Sequence, residues 1–536
     1  MKTAILVLFV LAGAILCATD YEWDTAWNMG SEGGNDIAYQ SIADDAGNIY
    51  VTGTYTGTAQ FGTQTLAPFS TSLTETDIFL AKYDSSGFCQ WAIRCGSNWW
   101  DHAFGLTVDS MGNIIIAGTV SGYGPSPSNP AQYFGSYATW LGYGYNAFAA
   151  KFSPMGEFIW LCTAGPGNDA RFPVVVNSIA ADAYGELYAT GYYYGSVAFG
   201  STTLTAEGSS YGAFVAKISS SGGWMWATEM DLPGNDSGTS ICVDATGVYV
   251  CGSTNGAGTH NGAPVPSYGY TDMFIGKLSV DGYWQWTRFY GSTGYDSAQH
   301  ICTDGAGFGY VSGNLEQNIS FGSFSLAPPA TYLLQNGWVL GLDPDGNPLW
   351  GRVFSSSVIN AAGGIDVLAG QVFVNGVFNT STTLAPLPPV TGAGLFFARL
   401  ATDGTPLALE SVAHASPSVP KGLDASAVGI IHCGSFAGSL AFGSPPLSSH
   451  GGNDAYVAIQ AAMSPEIIVT IAQLGSELLA VEWEPVPDVL FYRVYSAPTP
   501  DGPWTGAADI AAGTTVYHIN TPSEAQLFLK VTAFMP

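Results

Sequence analysis

The sequence predicts an all-β chain: a seven-bladed β-propeller closed by an N-terminal strand, followed by a small β-sandwich. Three observations predict it. A unit of about 60 residues recurs seven times along the chain. Each unit reads as two consecutive β-hairpins, the strand count of a propeller blade. The seventh unit stops one strand short, and the N-terminus carries a spare strand of the missing kind.

Composition agrees with short strands and tight turns. Of 536 residues, 68 are Gly, 28 Tyr, 28 Phe and 15 Trp, while charged residues make up only 10%. Lys and Arg total 13, too few for long amphipathic helices laced with ion pairs. The net charge of −28 repels nucleic acid and anionic membrane surfaces. It keeps a Gly- and aromatic-rich surface in solution, and a sharper use would be to recruit cations such as calcium. Residues 1–18 read as a signal peptide. Lys2 opens it, and Ala4 to Leu16 is an apolar run too short to span a membrane. The expected product is exported, secreted or held at the cell surface, with no transmembrane segment. Seven cysteines follow Cys17, none in C-x-x-C spacing, so no required disulfide framework or zinc motif is expected.

The first hairpin of each unit has a turn signature. Ile42 to Gly53, Thr107 to Gly118 and Ala180 to Gly191 share an Asp-x-x-Gly core between two apolar stretches. Weaker copies end at Gly252, Gly313, Gly376 and Gly434. Asp accepts hydrogen bonds from the backbone ahead of it, and Gly takes positive φ, so the repeated Asp44, Asp109, Asp182, Asp244 and Asp304 read as turn formers. The second hairpin runs from Asp77 to Gly87 and on to Trp91 in unit one, and from Ala147 to Gly156 and on to Trp160 in unit two. Trp226, Trp286 and Trp350 recur at the same point, with Leu407 there in the sixth unit. A longer loop between the hairpins often carries Phe-Gly, as at Phe61, Phe134, Phe199, Phe321 and Phe442.

The ends of the array decide between a ring and an open stack. The seventh unit runs through Asp454 to Gln460 and stops without a Trp strand. Tyr21 to Gly30, with Trp27, supplies one. A closed ring has no unfinished sheet edge, whereas an open stack has no reason to split a unit.

These residues resemble the bacterial β-propeller repeat family known as SBBP. The likeness rests on Asp44 to Gly53, Phe61-Gly62, and Phe79 through Lys82 and Gly87 to Trp91, and it spans about residues 21–461 of a propeller expected over residues 19–461. The resemblance implies the propeller fold and an exported bacterial protein, and it carries no catalytic residues. Residues 464–536 change pattern. Leu479, Val481 and Trp483 alternate like a half-buried strand, and Tyr492 and Phe528 sit on later strands. This part resembles a fibronectin type III domain lacking its last strand.

Catalytic motifs are thin. Gly208 to Gly212 matches G-x-S-x-G, but in a loop before a strand rather than on a strand-to-helix elbow. The seven histidines show no metal-ligand spacing, and His300 on an innermost strand is expected to face the channel as a structural residue. Asp36, Asp101, Asp169, Asp236 and Asp296 each precede an innermost strand. They read either as loop caps or as a ring of carboxylates at the channel mouth, able to hold calcium or to serve glycan chemistry. Aromatic residues crowd the same face: Trp99, Trp100, Tyr133, Tyr137, Trp140, Tyr143, Tyr145 and Tyr193. Tyr among Ser and Gly is the composition of binding loops. The sequence therefore reads as an exported, non-catalytic binding or adhesion scaffold that meets a glycan or protein through its long-loop face. The alternatives are an extracellular glycan-acting hydrolase or lyase, and a structural envelope protein.

Overall fold

The structure is a computed structural model. It describes residues 21–70, 72–122, 132–141, 144–165, 173–230, 232–328, 335–355, 360–414, 418–443 and 445–462, and six strands beyond them. The expected signal peptide lies outside the described residues. Every regular element among the described residues is a β-strand. The chain divides into two compact units, one of which is residues 23–460.

That unit is a ring of seven four-stranded antiparallel sheets. The innermost strands are Ile37–Ala43, His102–Val108, Val174–Ala181, Ser237–Asp244, Ser297–Thr303, Asn360–Leu368 and Ser418–Ser426, one for each of blades 1 to 7. Each packs against the next, and the seventh packs against the first. Blade 7 takes its outer strand from the N-terminus: Tyr21–Ser31 lies beside Asp454–Ala462. Asn28 Nδ2 donates to the Asp454 carboxylate at 2.7 Å across this seam. The ring closes as the split unit predicts.

Burial explains the strand patterns. The second strand of blade 1, Ile49–Tyr55, is buried at every residue because a neighbouring blade covers each face. Alternate residues serve alternate junctions. Ile49 and Val51 pack toward blade 7, while Tyr50 packs toward blade 2. The apolar clusters map one to a junction around the ring, including the 7–1 junction, where Met29 and Val457 meet Tyr55 and Phe79.

The Asp-x-x-Gly reading matches the geometry. Asp109 Oδ1 accepts from the backbone N–H groups of Met111 and Asn113, both at 2.9 Å, and Gly112 has φ +78. The Trp series has a further role. Each indole lies beneath the strand 3–4 turn of the next blade and donates to a turn carbonyl: Trp91 to Pro154, Trp160 to Ser220, Trp226 to Val280, Trp286 to Pro344 and Trp350 to Thr402. Trp27 lies under Gly87 in the same way.

Two expectations need correction. In blade 6 the residue at the Trp position is Ala408, not Leu407, because Arg399 pairs with Ala408 as Lys277 pairs with Trp286. Nor is the Phe-Gly segment a plain loop. In every blade the connection between strands 2 and 3 is a short extra hairpin, as in Ala59–Phe61 with Gln64–Leu66. In blade 1 this hairpin pairs with the outer strand of blade 7, Gly30 opposite Gln60, and so stitches neighbours together.

The six later strands form two three-stranded antiparallel sheets. One orders Val469–Gln473, Leu478–Trp483 and Val516–Asn520. The other orders Thr505–Ala511, Phe491–Ala497 and Phe528–Phe534. Trp483, Tyr492 and Phe528 fall on these strands, and their side chains lie outside the described part.

Candidate binding face

Strand order gives the ring two unlike faces. The tight turns between strands 1 and 2, and 3 and 4, form one face. The extra hairpins and the blade-to-blade crossings form the other, which is where the sequence points for a ligand.

The predicted carboxylates reach this face but turn inward. Asp36 is 1% exposed and accepts from the N–H groups of Ser31 at 2.7 Å and Thr56 at 3.0 Å. Asp101, 0% exposed, accepts from Ser97 N at 2.5 Å and Ser121 N at 2.7 Å. Asp236 takes Leu232 N at 2.6 Å, and Asp296 takes Ser292 N at 2.5 Å and Glu316 N at 3.2 Å. In Asp36, Asp101 and Asp296 the carboxylate joins the outer strand of one blade to the second strand of the next. These groups are caps between blades rather than a solvent-facing ring, and no group of three or more His, Cys, Asp or Glu among the described residues has metal-holding geometry. Asp169 lies outside the described residues. Burial pushes the Asp36 carboxyl up to about 6, against the backbone hydrogen bonds that lower it.

The predicted aromatics divide. Tyr193 is buried at 0% exposure and donates its hydroxyl to Glu229, so it belongs to the core and not to a contact surface. Tyr133 stacks on Phe69, centroids 4.8 Å apart, and Tyr137 stacks on Phe158 at 4.3 Å, which fixes the hairpin of blade 2. Trp99, Trp140 and Tyr145 are half-buried, and Tyr143 lies outside the described residues. Trp100 remains a surface ring, 41% exposed, with its indole N–H tied to the Thr74 carbonyl at 2.8 Å.

The sequence reading missed a second aromatic group on this face. Tyr268 and Tyr270 leave the hairpin of blade 4, and Tyr295 lies on the crossing to blade 5. They are 44%, 67% and 51% exposed. The signal was present as Ser267-Tyr-Gly-Tyr-Thr271, the same composition that drew attention to blade 2.

The channel holds a second missed feature. Aligned by register, its seven equivalent innermost positions are Ile42, Thr107, Ala180, Cys242, Cys302, Asp366 and Asp424. Asp366 Oδ2 accepts from Ala425 N at 2.8 Å, and Asp424 Oδ2 from Ala43 N at 3.1 Å, so each tie crosses a junction. Burial raises both carboxyls, and the Asp366 charge raises Asp424 further. Nearby, Tyr39 and Phe104 make an edge contact at 4.8 Å, and Lys421 lies 5.9 Å over the Tyr39 ring. His300 is on its innermost strand as expected, and burial, followed by the Lys421 charge, lowers it to about 4.

No family model matches the chain. A WD repeat-containing protein of Acanthamoeba polyphaga mimivirus, itself uncharacterized, is 25% identical over 244 residues. The match covers 39% of this chain and 16% of that protein, so the chain spans a small part of the relative. The fold, a ring of seven repeated blades, is consistent with that likeness. A chain in the cryo-EM structure of Morganella morganii TcdA4 aligns over 67% of this chain and 21% of its own length, at 10% identity and a TM-score of 0.18. At that score the alignment carries no argument. No helix among the described residues is long and apolar enough to cross a membrane.

Proposed function

We propose that this chain is an exported, non-catalytic binding scaffold of the SBBP repeat type. The ring serves as a rigid platform, the hairpin face meets a glycan or protein, and a fibronectin type III-like domain acts as a spacer. The observation that carries this reading is the contrast on one face. The carboxylates Asp36, Asp101, Asp236 and Asp296 are buried as caps, while Trp100 and a tyrosine group stand in solvent on pinned backbone. A catalytic acid or base must come within hydrogen-bond reach of its substrate, and these carboxylates are spent on backbone N–H groups, whereas recognition uses rigid rings that stand in solvent. The likeness to a WD repeat protein supports a repeat ring used for contact.

One observation favours the enzyme reading. Asp366 and Asp424 are paired carboxyls whose surroundings raise them unequally, the pattern of an acid and a base. Their bonds to Ala425 and Ala43 favour a structural role instead. The purified full chain should bind ligands on a glycan or protein array, show no turnover in hydrolase and lyase screens, and keep its binding in Asp424→Asn. Glycan turnover that Asp424→Asn abolishes would replace this reading with the enzyme.

A further inference from the structure

We infer that Tyr268, Tyr270 and Tyr295 form a stacking site for a neutral polyhydroxylated ligand, a pyranose chain, where blades 4 and 5 meet. The inference rests on the reading that the hairpin face binds ligands, and it names the class.

The backbone beneath the rings is held tightly. Tyr268 N donates to Asp272 Oδ2 at 2.7 Å, Tyr270 N to the Gly294 carbonyl at 3.2 Å, and Tyr295 N to Glu316 Oε2 at 3.0 Å. Thr271 and Tyr295 form a parallel bridge, and Asp296 N returns to the Thr271 carbonyl at 2.9 Å. Two separate connections are thus locked side by side. Their rings nonetheless point out: Tyr270 and Tyr295 stack at 5.1 Å between centroids and 13° between planes, each more than half exposed. Rings ordered in advance and left wet lose little entropy on binding, which is what a recognition element requires.

The surroundings select the ligand. Glu316, Thr293 and Gln317 rim the stack, and Thr293 Oγ1 donates to Gln317 Oε1 at 2.7 Å on the surface. A pyranose offers a C–H face to an aromatic ring and hydroxyls to such a rim. The net charge of −28, with Glu316 beside the rings, disfavours an anionic polymer. A proline-rich peptide docks into grooves lined by aromatic rings. Here Tyr270 and Tyr295 fill the space between themselves, so no prolyl ring enters between these two.

The test titrates the full chain with cellohexaose, chitohexaose and maltohexaose by calorimetry, with polygalacturonate and a proline-rich decapeptide alongside. We expect at least one neutral hexasaccharide to bind. Tyr270→Ala and Tyr295→Ala should each weaken it about tenfold or more, the cost of losing one anchoring ring. Tyr295→Phe should stay within about threefold, because the ring carries the contact. Unchanged circular dichroism checks that the variants fold, as expected for exposed side chains. The inference is overturned if no hexasaccharide binds, if either alanine variant binds normally, or if only the polymer or the peptide depends on these tyrosines. Ligand binding lost in Trp100→Ala but not in the tyrosine variants removes this site and leaves the broader face reading intact. A chain that binds nothing on the arrays or in calorimetry removes both.

Discussion

At the scale of single residues, the contact between each indole and the next blade's turn is the most informative feature. Gly282 has φ +88, and a Cβ there would fall 2.9 Å from the Trp226 ring. Gly282→Ala therefore combines backbone strain with a clash, and urea unfolding should show a loss of about 2 kcal/mol or more. Trp226→Ala should cost about 2–3 kcal/mol by the same measurement, less than a fully buried Trp, because one edge of the ring is wet. Ala408→Trp should gain nothing. Blade 7 has no strand 3–4 turn to receive an indole, since the chain leaves after strand 3 and the fourth strand comes from the N-terminus. That is why unit six lacks the Trp, a point that looks like decay in the sequence and is geometry in the ring. Asp101→Ala should cost about 2–3 kcal/mol, because the N–H groups of Ser97 and Ser121 lose their buried acceptor. The same variant should leave ligand affinity at the tyrosine stack of blades 4 and 5 unchanged.

At the scale of elements, legibility followed signal length. Strands of seven to nine residues between Asp-x-x-Gly turns gave their boundaries away, as at Ile49–Tyr55 and Ile114–Gly122. The extra hairpins did not, because two to four residues are too few to show alternation. In blade 4 the clue was His260-Asn-Gly262, where Asn261 and Gly262 take φ of 50° and 76°, a favoured two-residue hairpin turn. The binding face was half legible. Aromatic richness was visible, but Tyr193 in the core and Tyr270 in solvent look alike in one sequence. The partners of Asp36 were hidden too, because nothing in the spacing of Ser31 and Thr56 announces that they converge. The N-terminal strand is the element on which most depends. Trp23 packs against Phe397 of blade 6 at 4.7 Å, and Trp27 against Tyr83 of blade 1 at 5.0 Å. Removing residues 1–31 should lower the midpoint of thermal unfolding by about 3 °C or more, as expected for about 3 kcal/mol or more in a chain this size. Adding a synthetic peptide of residues 21–31 should recover part of the loss.

At the scale of the whole molecule, buried carboxyls and buried imidazoles pull the response to pH in opposite directions. Burial pushes Asp36 up to about 6 and Asp77 up to about 7, from 3.8 in the unfolded chain. Each contributes stability that is complete below pH 3.8 and is lost as pH rises through 6 to 7, because the unfolded chain gives up its proton while the fold still holds it. The Asp366–Asp424 pair acts in the same direction. Buried His102, His300 and His432 act in the opposite sense: burial lowers them to about 4, about 4 and about 3, so their contribution is complete above pH 6.5 and is lost as pH falls. Asp77→Asn keeps an acceptor for Phe69 N, and urea unfolding should show its stability at pH 8 relative to pH 5 raised by about 1–3 kcal/mol against the unaltered chain.

The chain's first strand completes its last sheet, so Asn28 waits for a partner 426 positions later. Bringing such distant segments together costs about 5 kcal/mol of chain entropy before any contact repays it. Biosynthesis inherits that delay. Until the final blades have emerged, the indole of Trp23 lacks Phe397, Trp27 has only the blade 1 side of its seat, and the nascent protein is an incomplete arc. A message truncated before residue 454 should yield a ring with an open sheet edge, less stable and cut faster by proteases than the closed one.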